Sequence, residues 1–189
     1  MRIIGGNLKG SSLFFPQDKN TRPLKDMARE SIFNLLIHSN KISCKLENSN
    51  ILDLYSGTGS FGLECLSRKA NKVFFVEKDK NIIQILKKNI NKLELNEKVN
   101  IFINDAFQAI QHQDILETKF NIIFCDPPFK NTDIKKLIDL IKYKKLLVKN
   151  GIVILHRNKN TTEELPSSFQ IIEERYYGIS KIIFGQFLH

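Results

Sequence analysis

Four acidic residues close short apolar runs, and their spacing is the first feature of the chain with chemical meaning. Asp53 begins the stretch Asp53-Leu-Tyr55-Ser-Gly57-Thr58-Gly59-Ser-Phe-Gly62. In that pattern glycines let a strand-to-helix turn approach a ligand and let the helix pack tightly on the strand. Glu77 ends the next apolar run, 20 residues after Gly57, the spacing at which a carboxylate reaches the hydroxyls of a ribose. A tight turn beside a solvated acid is the plain alternative. A dinucleotide would use the same glycines, but Asp53 is expected at the mouth of the turn, where a carboxylate repels a diphosphate and favours a cation. S-adenosylmethionine meets these conditions: it has a nucleoside, no phosphate, an amino group and a sulfonium charge. Asp105 ends a third run, in Asn104-Asp105-Ala106-Phe107, placed to accept the exocyclic amine of the adenine while neighbouring backbone N–H groups address its ring nitrogens.

The fourth acid heads Asp126-Pro127-Pro128-Phe129. Two successive prolines fix φ and remove two donors, so the turn is stiff and its carbonyls face outward. Methylating an exocyclic base amine calls for such a part. The nitrogen lone pair is delocalised into the ring and becomes nucleophilic only as its N–H groups are drawn into hydrogen bonds. The Asp126 carboxylate and the Pro127 carbonyl can accept those two bonds while Phe129 stacks on the base. Alignment with a sulfonium methyl then supplies most of the rate, about 7 to 11 kcal/mol if fully realised. A proline-capped polar turn is the reading without chemistry.

These residues need a scaffold that carries strand ends to one edge. Strand patterns fall at Asn50 to Tyr55, Lys72 to Glu77, Val99 to Asn104, Phe120 to Asp126 and Gly151 to His156, with helical patterns near 60 to 69, 80 to 93, 106 to 113 and 132 to 149. Such alternation predicts right-handed βαβ units and a parallel sheet, in which ligands sit at the carboxyl ends of the strands. Ser168 to Glu173 and Ser180 to Leu188 predict a closing hairpin. Residues 2 to 15 read as a hairpin or loose arm broken at Gly5-Gly6-Asn7 and Lys9-Gly10, followed by a helix over Leu24 to Ile37. The expected fold is α/β: a doubly wound, mostly parallel, seven-stranded Rossmann-like sheet with helices on both faces. Residues 1–40 form its N-terminal extension, packed on a domain over 41–189.

Length and charge are consistent with this. The 189 residues suit one domain, and a net charge of +9 suggests an anionic partner, nucleic acid first. Of the 29 basic residues 23 are Lys, in a chain also rich in Asn and Ile, so an A/T-rich codon pool accounts for part of that charge. The lysines between 135 and 149 read as a solvated helix face. No apolar run approaches a membrane span and no signal-peptide pattern opens the chain, so a cytoplasmic protein is expected. Cys44, Cys65 and Cys125 show no disulfide or zinc spacing and read as core residues; His38, His112, His156 and His189 show no ligand spacing, and no metal is expected.

Asp53-x-Tyr-x-Gly-Thr-Gly with Asp126-Pro-Pro-Phe resembles the class I S-adenosylmethionine-dependent methyltransferases that modify exocyclic amines. The opening Met1-Arg-Ile-Ile-Gly-Gly, with Arg22-Pro23, Asp26, Arg29-Glu30 and Phe33-Asn34, resembles more narrowly the bacterial RsmD family, and the likeness runs from residue 1 to Tyr177-Gly178. That resemblance implies methylation of N2 of a guanine in 16S ribosomal RNA, the nucleotide numbered 966. It implies that Asp53, Tyr55, Gly57, Thr58 and Gly59 shape the methionine end of the cofactor site, Glu77 with Lys78 the ribose end, and Asp105 with Ala106 the adenine end. Asp126, Pro127, Pro128 and Phe129 would form the catalytic turn. The 1 to 15 arm, with Arg2 and Lys9, would grip RNA, and Arg22 and Arg29 would face the active-site mouth or the RNA backbone. The prefix Asn7-Leu8-Lys9-Gly10-Ser11-Ser12 is less Arg-rich than the family pattern. About 45 residues outside the core sheet leave little room for a target-recognition domain, so nucleotide choice is expected to be shared with a folded small-subunit substrate, the enzyme acting as a monomer. The competing readings are an adenine-N6 methyltransferase on DNA or another RNA, a dinucleotide oxidoreductase, and an RNA-binding chaperone without activity.

Overall fold

A computed structural model of the protein describes residues 1–16, 26–130, 133–162 and 164–188. Seven strands form one sheet: β1 (Asn50–Leu54), β2 (Lys72–Val76), β3 (Val99–Phe102), β4 (Phe120–Cys125), β5 (Leu147–Asn158), β6 (Phe169–Tyr177) and β7 (Ser180–Phe187). Their order across the sheet is β3-β2-β1-β4-β5-β7-β6. The first five are parallel, and the β6–β7 hairpin closes the sheet antiparallel to β5. Strand order reverses between β1 and β4, so the crevice that a doubly wound sheet offers to a ligand opens where those two strands end.

Alternation along the strands divides the core between two faces. Ile51, Val73, Phe75, Ile122 and Phe124 pack with α1 (Asp26–His38), α2 (Ser60–Ser67) and α3 (Lys80–Lys92). Leu52, Leu54, Phe74, Ile123 and Cys125 pack with α4 (Ala106–Ala109), α5 (Gln113–Glu117) and α6 (Ile134–Tyr143). Central strands are therefore covered on both sides, which is why β1 reads as one apolar run. On the α1–α3 face Phe61 stacks on Phe124 at 4.0 Å and lies 5.4 Å from Phe33.

The N-terminal arm folds back as a short hairpin: Arg2 and Ser12 form an antiparallel bridge, the Ile3 N–H donates to the Ser11 carbonyl, the Gly10 N–H to the Ile3 carbonyl and the Leu13 N–H to the Met1 carbonyl, each at 2.9 Å. It is stapled to α2: the Ile4 N–H donates to the buried Glu64 carboxylate at 2.8 Å, and the Ser67 hydroxyl donates to the Gly5 carbonyl at 2.6 Å. Gly6 lies so close to the end of α2 that a Cβ there would stand 2.0 Å from the Ser67 carbonyl oxygen. Ile3 and Leu13 of the arm and Ile32 and Phe33 of α1 belong to the same core as the sheet.

Two expected helices are differently bounded. The pattern over 132 to 149 stops at Tyr143, because Lys145 adopts a left-handed φ of 52° and Leu147 pairs with Phe120 to begin β5. The 106 to 113 pattern is two short helices, the second capped by His112, whose ring nitrogen accepts the Asp114 N–H.

Candidate functional site

A cleft of about 770 Å³ lies at the carboxyl ends of β1 to β5, within the size range of small-ligand sites. The loop after β1 forms one wall. Its backbone alternates into the left-handed region at Tyr55 (φ 61°), Gly57 (55°) and Gly59 (85°), a path that glycine follows at little cost. Gly57 has open space where a Cβ would stand, whereas Gly59 backs onto Leu86, whose Cδ1 would lie 2.4 Å from an added Cβ. Tyr55, Gly57 and Thr58 line the cleft; Gly59 stands behind it, starting α2.

Of the four acids, Glu77, Asp105 and Asp126 line this cleft together, with Lys78 and Ala106 beside them. Asp53 does not reach the mouth of the turn. It is 1% exposed, and its Oδ2 accepts the Gly62 N–H at 3.0 Å. Alternation explains the placement: Asp53 shares its face of β1 with Ile51, toward α2, and there satisfies one of the N–H groups that a helix start leaves without a partner. Burial pushes its carboxyl well above the ordinary range, against the opposing Gly62 hydrogen bond, and the charges of Asp126 and Glu77 push it the same way.

Glu77, not Asp53, is the carboxylate that lines the cleft beside the glycine loop. One oxygen of that carboxylate accepts the Gly57 N–H at 3.0 Å, and the other accepts the N–H groups of Lys78 at 2.8 Å and Asp79 at 2.9 Å. A loop N–H that a dinucleotide site would offer to phosphate is thus already taken by an anion, so a diphosphate is disfavoured and a cation favoured. Asp105 caps α4 through the Phe107 N–H at 2.9 Å. The buried hydroxyl of Ser56, in the cleft wall, has no hydrogen-bond partner among the described residues. A spare buried donor, an open space at Gly57 and clustered carboxylates form a donor set that fits a cationic nucleoside such as S-adenosylmethionine. Among the described residues no group of three or more His, Cys, Asp or Glu could hold a metal ion, and no helix is long and apolar enough to cross a membrane.

Asp126, Pro127, Pro128 and Phe129 form the opposite wall. The Asp126 N–H donates to the Leu54 carbonyl at 3.3 Å, which ties this turn to the end of β1 beside the glycine loop. Two residues hold it from β5: His156, which the sequence reading leaves bland, and Arg157, which it passes over. His156, 4% exposed, places Nδ1 2.7 Å from Asp126 Oδ1 and Nε2 2.9 Å from Ser180 Oγ. The buried Arg157 donates to the carbonyls of Pro128 at 3.3 Å and Phe129 at 3.4 Å. The available signal was positional: these residues end β5, and every other parallel strand tip had been read as part of the site.

The arm reaches the cleft through Met1 and Phe15. Arg2 and Lys9 are exposed on it but do not line the cleft, and Arg22 lies outside the described residues. Arg29 faces neither the mouth nor a surface open to RNA. It is fully buried, donating to the Arg2 carbonyl at 2.6 Å and to Asp26 at 2.9 Å, because its place on α1 turns it inward with Ile32 and Phe33.

Comparison with known proteins agrees with this geometry. The family model described as conserved hypothetical protein 95 matches residues 1–186. YlbH of Bacillus subtilis strain 168 is 36% identical over 168 residues, 89% of this chain and 87% of that one. The ribosomal RNA small subunit methyltransferase D of Haemophilus influenzae is 30% identical over 179 residues, 95% of this chain and 90% of that one. The solved structure of yhhF from Escherichia coli superposes with a TM-score of 0.83 at 26% identity, covering 99% of this chain and 97% of that one. A family match over nearly the whole chain, with relatives of this similarity at full length, means that the protein belongs to the conserved hypothetical protein 95 family, the RsmD family of S-adenosylmethionine-dependent methyltransferases.

Proposed function

We propose that the protein methylates ribosomal RNA, and that its target is the exocyclic N2 amine of a guanine in 16S RNA, nucleotide 966 by family resemblance. The relatives named ribosomal RNA small subunit methyltransferase D support the RNA substrate. The observation that carries the reading is the meeting of a stiff Asp126-Pro127-Pro128-Phe129 turn with a glycine loop at the ends of adjacent strands, around one anionic cleft. S-adenosylmethionine, when bound, supplies a methyl group on a cationic sulfur. In this reading the loop at Tyr55, Gly57 and Thr58 receives its methionine end, Glu77 and Lys78 the ribose, and Asp105 and Ala106 the adenine. Asp53 and Gly59 act from behind, by fixing the loop and the start of α2. Asp126 and the Pro127 carbonyl draw on the amine N–H groups, Phe129 covers the base, and Asp126 receives the proton that leaves nitrogen.

The exposed Arg2 and Lys9 on the arm supply cations for the RNA backbone, Arg2 next to Met1 at the cleft and Lys9 on the arm's turn by the end of α2. Buried Arg29 has no such part. With little chain outside the core, choice of nucleotide rests on the folded substrate, and an extruded or unpaired base is the one that reaches the turn. The test is transfer of labelled methyl from S-adenosylmethionine to small-subunit particles, naked 16S RNA and short DNA, followed by nucleoside analysis. N2-methylguanosine formed on small-subunit RNA or particles is expected. N6-methyladenosine, or a preference for naked short DNA, overturns the reading.

A further inference from the structure

His156 contacts the acid of the Asp126 turn directly, Nδ1 to Oδ1 at 2.7 Å. Its ring is almost fully buried, a costly place for an imidazole unless both nitrogens are bonded, and both are. An ionised carboxylate only accepts, so the 2.7 Å contact with Asp126 Oδ1 puts the proton on Nδ1. Nε2, on the far side of the ring, meets the Ser180 hydroxyl, on β7, at 2.9 Å. The chain Ser180 to His156 to Asp126 crosses three strands and ends on the acid of the turn, 23% exposed in the cleft. The edge of the same ring meets Phe129, with centroids 5.5 Å apart and planes at 79°.

We propose that His156 is a positioning residue for methyl transfer: it fixes one oxygen of the Asp126 carboxylate so that the other is presented to the target amine. This rests on reading the Asp126–Phe129 turn as the catalytic turn. The prolines make such help necessary. They stiffen the backbone but donate nothing, so the turn has no N–H at 127 or 128 with which to hold its own acid. An unheld carboxylate rotates about χ1 and χ2, and misplacement by about 1 Å at a reacting centre costs on the order of 100-fold in rate. His156, anchored at its far nitrogen by Ser180, cannot follow that rotation, and its contact with the Phe129 ring ties the acid to the aromatic that covers the base.

The test compares single-turnover methylation, S-adenosylmethionine affinity and thermal stability for His156→Leu, His156→Asn, Ser180→Ala and Asp126→Ala on small-subunit particles. His156→Asn returns an amide N–H near the place of Nδ1; His156→Leu does not. The expected result is a loss of about 10- to 100-fold in rate for His156→Leu, with cofactor affinity and KM for particles within about threefold of wild type, and recovery of most of the rate in His156→Asn. Ser180→Ala, which removes only the outer hydrogen-bond partner, loses about threefold or more and serves as the readout should His156→Leu not fold. The proposal is overturned if the folded His156→Leu protein transfers methyl within twofold of wild type. It is equally overturned if His156→Asn is as impaired as His156→Leu, if the loss lies in cofactor affinity, or if His156→Leu does not fold and Ser180→Ala is unimpaired. Asp126→Ala separates the two levels: full activity there, or no transfer by wild type to any small-subunit RNA, removes the catalytic-turn reading, whereas an inactive Asp126→Ala beside an unimpaired His156→Leu removes only the role of His156.

Discussion

Gly57→Ala and Gly62→Ala add the same methyl group nine residues from Asp53 or less, yet the structure assigns them opposite consequences. At Gly57 an added Cβ meets nothing within 4 Å, so the folded protein alone loses only the cost of holding an L-residue at φ 55°. That cost is about 1 to 2 kcal/mol, or roughly 2 to 8 °C in melting temperature for a domain of this size. The open space, however, belongs to the cleft. A methyl group there occupies cofactor volume at a turn whose backbone must come close to the ligand, and a loss of at least 10-fold in affinity, about 1.4 kcal/mol, is expected. At Gly62 the added Cβ would stand 2.3 Å from Phe75 Cε1 and 2.7 Å from Val73 Cγ1, both on buried β2. Overpacking against those strand side chains costs about 1 to 3 kcal/mol or more and melts the protein earlier. Thermal unfolding without cofactor and calorimetric titration with S-adenosylhomocysteine measure the two effects separately, since cofactor itself raises the melting temperature. Gly57→Ala protein that binds the cofactor as tightly as wild type refutes the assignment of that loop to the cofactor.

Asp53→Asn tests the buried acid. Burial raises the folded carboxyl far above its unfolded value, so between those two values the folded state holds the extra proton and wild-type stability falls as pH rises. The melting temperature of Asp53→Asn should therefore gain on wild type as pH rises from the ordinary carboxylate range, near 4, toward neutrality; parallel curves contradict the placement. Asn89, fully buried on α3, clasps the arm to the glycine loop: its side chain accepts the Phe14 N–H at 2.7 Å and donates to the Phe14 and Thr58 carbonyls at 3.1 Å each. Asn89→Ala should lower stability by about 1 to 3 kcal/mol and speed hydrogen exchange at residues 13–15 and at Thr58, while leaving exchange in β5 unchanged. Arg29→Met should leave methylation of particles within about threefold of wild type and stability within about 1 kcal/mol or better, because burial already works against the guanidinium and its Nε and Nη1 have no partner among the described residues. A large activity loss at unchanged stability would return Arg29 to the RNA interface.

The strand tips were legible because a parallel sheet carries every carboxyl end to one edge, so Glu77, Asp105 and Asp126 could be brought together from spacing alone. The side each tip faces was less legible. In β1 every residue from Ile51 to Leu54 is buried, because helices cover both faces, and no polar alternation remains to show that Asp53 turns toward α2. Arg29, which the resemblance places at the mouth or the RNA backbone, misled for a related reason: only the docking of α1 on the sheet makes its position interior. The helix pattern that ran to 149 was carried by lysines and leucines, which suit a helix until the left-handed turn at Lys145 lets β5 begin. His156 had no motif around it. Its meaning comes from β7, folded back beside β5, which puts Ser180 against the ring.

The proposed reaction is methylation of a guanine amine of small-subunit RNA in this cleft. Mass mapping of 16S ribosomal RNA from cells with and without the protein tests it most directly. One N2-methylguanosine is expected, at the position equivalent to 966, present with the protein, absent without it, and not restored by Asp126→Ala. An unchanged map, or a lost methyl group on adenine instead, contradicts it.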